Sequence, residues 1–165
     1  MNVYFGDRDY YDLERRGGLL YVTLQIIDSS NTSHGTDVEF ILDTGAFLTV
    51  ISRGTAIQRG LNVLLKKATV LYGFGGGIPV DYVIIPGLRV LGKIHSNVPV
   101  LIPHDLYRID DKTGERRQMP EVLGLNILEY YNYYIDTENS RLYLRKNLTP
   151  RFYSNELASG EVIVG

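Results

Sequence analysis

The chain predicts an all-β protein, a closed barrel-like set of short strands with one or two short helices. Three observations carry this. Short segments rich in Leu, Val, Ile, Thr and Tyr recur along the sequence. Polar or glycine-rich turns separate them, and helix start and stop signals are confined to two stretches.

In order, residues 19–27 alternate and are rich in Leu, Val, Thr and Ile, which predicts a strand. Residues 28–36 form a polar turn region, and 38–42 a second strand that stops at Asp43. Residues 48–51 continue apolar and β-branched. Residues 68–72 and 80–85 flank a glycine-rich tip and predict a hairpin; 88–91 and 98–102 predict two further strands. Residues 133–136 and 141–145 form a last pair that turns at 138–140. One helix is expected over 52–60, with Ser52 as N-cap and Gly60 at its end. A second is expected over 126–131, capped by Asn126. Three parts read as peripheral: an N-terminal extension over 1–18, the charged loop 103–120, and a C-terminal tail over 146–165. One domain over 19–145 fits the length.

With 44% hydrophobic residues in a chain of 165, a sizeable core is expected. The net charge of -2 gives no reason to expect nucleic acid or an anionic membrane as partner. Absence of cysteine excludes disulfides, a thiol nucleophile and a thiolate metal site. Residues 1–18 lack the apolar stretch of a secretory signal, and no apolar run is long enough to cross a bilayer. The expectation is a soluble, cytoplasmic protein.

The most informative run is Phe40-Ile41-Leu42-Asp43-Thr44-Gly45-Ala46. An apolar strand drives toward a core and ends at an acid, a hydroxyl and a glycine. Burying an ionised carboxylate is costly unless it is paired or hydrogen-bonded, so Asp43 is either well paired or kept for chemistry. Taken alone, Asp-Thr-Gly also suits a plain turn. Three further features accompany it: the tip Tyr72-Gly73-Phe74-Gly75-Gly76-Gly77-Ile78-Pro79; the run Val122-Leu123-Gly124-Leu125-Asn126, ~80 residues after Asp43; and the closing pair 133–136 and 141–144.

In this order the set resembles the retropepsin-like aspartic proteases, over roughly residues 19–145. The resemblance implies that fold, with a flap hairpin and a two-fold homodimer, and peptide hydrolysis by two carboxyl groups that share a proton. Such a pair activates water and polarises a carbonyl, and like charges so close cannot both ionise. It implies Asp43, Thr44 and Gly45 as the catalytic element. Ala46, Phe47 and the flap residues Tyr72, Gly73, Phe74, Gly75, Gly76, Gly77 and Ile78 would contact substrate, and Leu123, Gly124 and Asn126 would support the site. Gly45 would let backbone N–H groups crowd the carboxylate. Tyr72 reads either as a flap tyrosine closing over the site or as an outward strand tyrosine. Retroviral members often carry an acid and an arginine where this chain has Phe47 and Leu125; an apolar pair can replace an ion pair without loss of stability.

Only one Asp-Thr-Gly is present. Asp136-Thr137-Glu138 has a bulky charge where glycine is needed and reads as a hairpin-turn acid, so the second carboxylate must come from a second Asp43. The glycine tip lacks the following helix and the Lys-Ser or Lys-Thr of a phosphate loop. His34, His95 and His104 have no metal-ligand spacing, and 105–111 does not match a calcium loop, so no metal or cofactor is expected. The expected partners are a peptide or protein substrate and a second copy of the chain. The alternatives are a catalytically silent dimeric peptide-binding module on the same fold, or a latent protease in which the 103–120 loop or the tails regulate the cleft or are processed. In that reading 161–164 is a strand-like segment able to join a dimer sheet or mimic substrate.

Overall fold

A computed structural model describes residues 9–27, 35–73, 76–146 and 163–164. The strands are β1 (Tyr10–Asp12), β2 (Glu14–Arg16), β3 (Leu19–Ile27), β4 (Gly35–Leu42), β5 (Thr49–Val50), β6 (Leu65–Gly73), β7 (Gly76–Val90), β8 (Lys93–Pro103), β9 (Tyr107–Ile109), β10 (Arg116–Gln118), β11 (Val122–Leu123), β12 (Tyr131–Asp136), β13 (Arg141–Lys146) and β14 (Ile163–Val164). Two short helices, α1 (Arg53–Gln58) and α2 (Leu125–Leu128), complete the described chain.

Six strands close into a barrel in the order β3, β4, β11, β5, β8, β7 and back to β3. Four of the six contacts are antiparallel or hairpin-like; β4 with β11 and β5 with β8 run parallel. Closure removes sheet edges and fixes both walls of the site.

The corner that permits closure lies at Pro86-Gly87. Up to Ile84, β7 pairs with β6; from Gly87 onward it pairs with Ile27–Gln25 of β3. A proline at this corner donates nothing to either ladder, so the strand changes partners there at little cost. The sequence expectation of separate strands over 80–85 and 88–91 is corrected accordingly: β7 runs unbroken from Gly76 to Val90. A Cβ on Gly87 would stand 3.1 Å from Ile94 and 3.2 Å from the His95 carbonyl, so a side chain here would press on both neighbours.

Val22, Leu24 and Ile26 of β3 alternate inward with Val38 and Phe40 of β4, and join Val83, Ile85, Leu88, Val100 and Leu123 in the main core. A smaller apolar cluster of Leu48, Val80, Tyr82 and Leu101 packs on the other side of β7 and β8. The stretch over 10–16, read as peripheral, is paired into the fold, whereas the one over 103–120 carries a separate, exposed two-stranded sheet. β1 pairs with β13, β2 pairs with β3, and Leu13 between them is buried. Within 103–120, β9 and β10 form a hairpin whose turn is held by Asp110, which accepts hydrogen bonds from the Lys112 and Thr113 N–H groups at 2.9 and 3.2 Å.

Candidate active site

β4 delivers the acid. Val38 and Phe40 point into the core, the strand ends at Leu42, and the chain turns over 43–46, closed by Ala46 N–H to the Asp43 carbonyl at 3.2 Å. The Gly45 N–H donates to Asp43 Oδ1 at 2.8 Å, and a Cβ on Gly45 would stand 3.1 Å from that oxygen. The absence of a side chain is what lets the amide reach the carboxylate. In the single chain Asp43 and Thr44 are both exposed. The burial problem expected at Asp43 is therefore not met in this chain.

A second layer holds this turn. The Asp43 N–H donates to the Leu123 carbonyl at 3.2 Å, and the Leu125 and Asn126 amides donate to the carbonyls of Ala46 and Phe47. Where β11 meets β5, Gly124 has no room for a Cβ, which would lie 2.5 Å from the Leu48 carbonyl carbon and 2.8 Å from the Thr49 nitrogen. Asn126 does not cap its helix, contrary to the sequence expectation. α2 begins at Leu125 with Gly124 as N-cap, and no side chain caps it. Asn126 is buried instead, with Oδ1 accepting from both the N–H and the hydroxyl of Thr49 at 2.9 Å, and Nδ2 donating to the Pro99 carbonyl at 2.9 Å. Thr49 Oγ1 in turn accepts from the Gly124 N–H at 3.1 Å. Burial makes these bonds worth more to Asn126 than a cap on a four-residue helix. At α1 the expected cap is present: Ser52 Oγ accepts from the Thr55 N–H at 3.1 Å.

Beside Asp43 opens an apolar cavity of about 190 Å³, lined by Asp43, Gly45, Ala46, Phe47, Leu48, Val50, Leu71, Leu101 and Val122. Of the residues predicted to touch substrate, Ala46 and Phe47 line it. Tyr72, Gly73, Gly76 and Gly77 form the end of the β6–β7 hairpin, with Gly73 opposite Gly76; Phe74 and Gly75 lie outside the described residues. Tyr72 is exposed and its ring lies across the hairpin on Gly77, where a Cβ would stand 2.8 Å from Cε1. Ile78 packs against the smaller apolar cluster. Leu71, Val50, Leu101 and Val122 were not singled out from sequence. Residue parity was the available signal: Leu48, just before β5, and Val50 both line the cavity, while Thr49 between them faces Asn126.

Two other acids and a histidine are held by partners. Asp81 is buried, with Arg53 at 2.9 Å, His104 Nε2 at 2.8 Å and Lys66 at 3.5 Å. Burial pushes its carboxyl up, but the hydrogen bonds from His104 and Arg53 outweigh this and, with the charges of His104 and Lys66, hold it below the ordinary value. Asp136 sits in the β12–β13 turn and accepts from Asn139 through both side chain and backbone, at 2.9 and 3.0 Å, which lowers it. His95 is buried against Tyr131, Nε2 to hydroxyl 2.6 Å; burial and the charge of Lys93 lower it. Among the described residues no group of three or more His, Asp or Glu is placed to hold a metal ion, and no helix is long and apolar enough to cross a membrane.

These features define a class: a barrel with an acid-bearing turn, a glycine-backed crossing beneath it and a hairpin beside it. The aspartyl protease family matches over residues 30–126, well over half of the chain, and the chain belongs to that family. It is 29% identical over 145 residues to protein DDI1 homolog 1 of Caenorhabditis elegans, covering 86% of this chain and 32% of that protein. It is 28% identical over 129 residues to DNA damage-inducible protein 1 of Yarrowia lipolytica, covering 77% of this chain and 28% of that protein. The chain thus spans about a third or less of the length of these curated relatives. Among solved structures, a retropepsin-like aspartic protease from Rickettsia conorii superposes with a TM-score of 0.55 at 17% identity, over 82% of this chain and 87% of that one. The fold is retropepsin-like.

Proposed function

We propose that this protein is an aspartic endopeptidase that becomes complete as a homodimer, with the two Asp43 carboxyl groups sharing one proton across a two-fold axis. One observation carries this reading: among the described residues, Asp43 is the only ionisable one lining the apolar cavity, and it is exposed and receives the Gly45 N–H. A lone carboxylate can take a proton from water but cannot also donate to a carbonyl. A second copy supplies that donor, and an isologous dimer is the commonest way to bring it.

In the dyad, the ionised Asp43 removes a proton from water as the oxygen attacks the scissile carbonyl carbon. The protonated Asp43 of the other protomer donates a hydrogen bond, keeping its proton, to the carbonyl oxygen. The tetrahedral intermediate collapses as the C–N bond breaks and a carboxyl proton passes to the leaving nitrogen, which regenerates the shared-proton pair with no covalent enzyme intermediate. Because one carboxyl must be ionised and the other protonated, a bell-shaped dependence of rate on pH is expected. An extended peptide would lie between the floor at Ala46-Phe47 and the flap residues Tyr72 to Ile78, with Leu123, Gly124 and Asn126 positioning the floor. Backbone pairing would give affinity and the cavity an apolar preference.

The test is cleavage of apolar peptides by parent and Asp43→Asn, with sedimentation of both. The reading expects turnover only in the parent, a dimer in each, and inhibition by a statine-type mimic far below substrate concentrations. Peptide binding without turnover at any pH would leave the silent-module reading in its place.

A further inference from the structure

β6 forms the outer side of the flap hairpin. One of its edges pairs with β7 along its whole length, and the other carries β14, a parallel partner drawn from the chain itself, with Ile163 opposite Leu71 and Val164 opposite Tyr72. Leu71 is the β6 residue that lines the cavity holding Asp43. The segment therefore pairs with the flap at the point where the flap meets the site.

An unpaired strand edge presents N–H and C=O groups to any extended chain, and β-addition is the usual way such an edge is used. Val162-Ile163-Val164 is a β-branched run, the composition that suits a strand. Because it is covalently attached, it competes at an effective concentration on the order of millimolar.

We propose that the outer edge of β6 at Leu71-Tyr72 is a docking edge for extended, β-branched peptides, and that the chain's own Ile163–Val164 segment is its resident occupant, competing with incoming peptide. This rests on the proposed peptidase reading for its consequence in catalysis, but not for the docking itself. The segment acts as a built-in competitor that must leave β6 before a substrate strand can take the same hydrogen bonds.

The test uses the full chain and the double variant Ile163→Pro/Val164→Pro, since proline cannot donate to a ladder. A fluorescent peptide of residues 158–165, ASGEVIVG, should bind the variant about tenfold more tightly than the parent, the factor expected if a tenth of parent molecules have a free edge. Amide hydrogen exchange at Leu71 and Tyr72 should be faster in the variant and slow again when the peptide is added. In an active enzyme, KM for an apolar peptide should fall by a similar factor with kcat unchanged. Equal peptide affinity in the two proteins overturns the proposal, as does an unchanged KM in an active enzyme. Failure of the peptidase reading would appear separately, as absent cleavage in both proteins, with the binding difference intact.

Discussion

Two carboxylates on the barrel strands or just beyond them have opposite fates. Asp81 on β7 is buried and surrounded by Arg53, His104 and Lys66. Asp43 after β4 is exposed and receives one amide from Gly45. Asp81 has its lone pairs committed to permanent partners, so it ties β7 to α1 and to the end of β8. Asp43 has lone pairs left over, held in a fixed place by backbone alone. A carboxylate that stabilises a fold is saturated; one kept for chemistry is oriented and left unsaturated.

Exchanging the two roles should fail in opposite ways, and this is where the largest effects are expected. Asp43→Asn should lower kcat/KM by about a thousandfold or more while leaving the denaturant midpoint in place, because the acid is exposed and its loss is felt only in the reaction. If the midpoint falls as well, Asp43 is a structural acid like Asp81. Next comes the crossing beneath the turn. Gly124→Ala drives a Cβ into backbone at Leu48 and Thr49, with a cost of about 3 kcal/mol by chemical denaturation and a loss of activity from the displaced floor.

The Asp81 cluster should respond unevenly. Arg53→Ala leaves a buried carboxylate short of a partner and is expected to cost about 2 kcal/mol, less than a fully buried pair because His104 remains. Lys66→Ala, which removes a mostly exposed partner, should cost under about 1 kcal/mol. Equal losses would show that burial does not distinguish them. The smallest effect is in pH. Asp81 has a lowered folded pKa, so its stabilisation is present above the ordinary 3.8 and is lost as pH falls through the lower folded value. His95 is lowered too. Its contribution is complete above the ordinary 6.5 and erodes as pH falls toward its folded value, because the unfolded chain takes up the proton first. His95→Gln should flatten the fall in stability as pH drops below 6.5.

Much of this was legible in the chain. The alternation over 19–27 gave β3 at its observed limits, the stop at Asp43 matched the end of β4, and Ser52 caps α1 as its position suggested. These are local signals: period, punctuation and capping chemistry. What could not be read depends on partners distant in sequence. Asn126 looks like a cap until Thr49 and Pro99 are brought beside it. Pro86 looks like a strand break until β3 arrives to take over from β6. Residues 10–16 look like a polar extension until β13 and β3 offer edges. Leu71 drew no notice because its neighbours in the glycine-rich tip carry the louder motif.

The central claim is that one active site needs two copies of Asp43, and mixing tests it most directly. Parent and Asp43→Asn chains, unfolded together in equal amounts and refolded, should form random dimers that retain about a quarter of the activity of the same total amount of parent, since only parent–parent pairs carry a complete dyad. Retention of about half, falling in direct proportion to the parent fraction, would contradict the account, because each chain would then be working with its own acid alone.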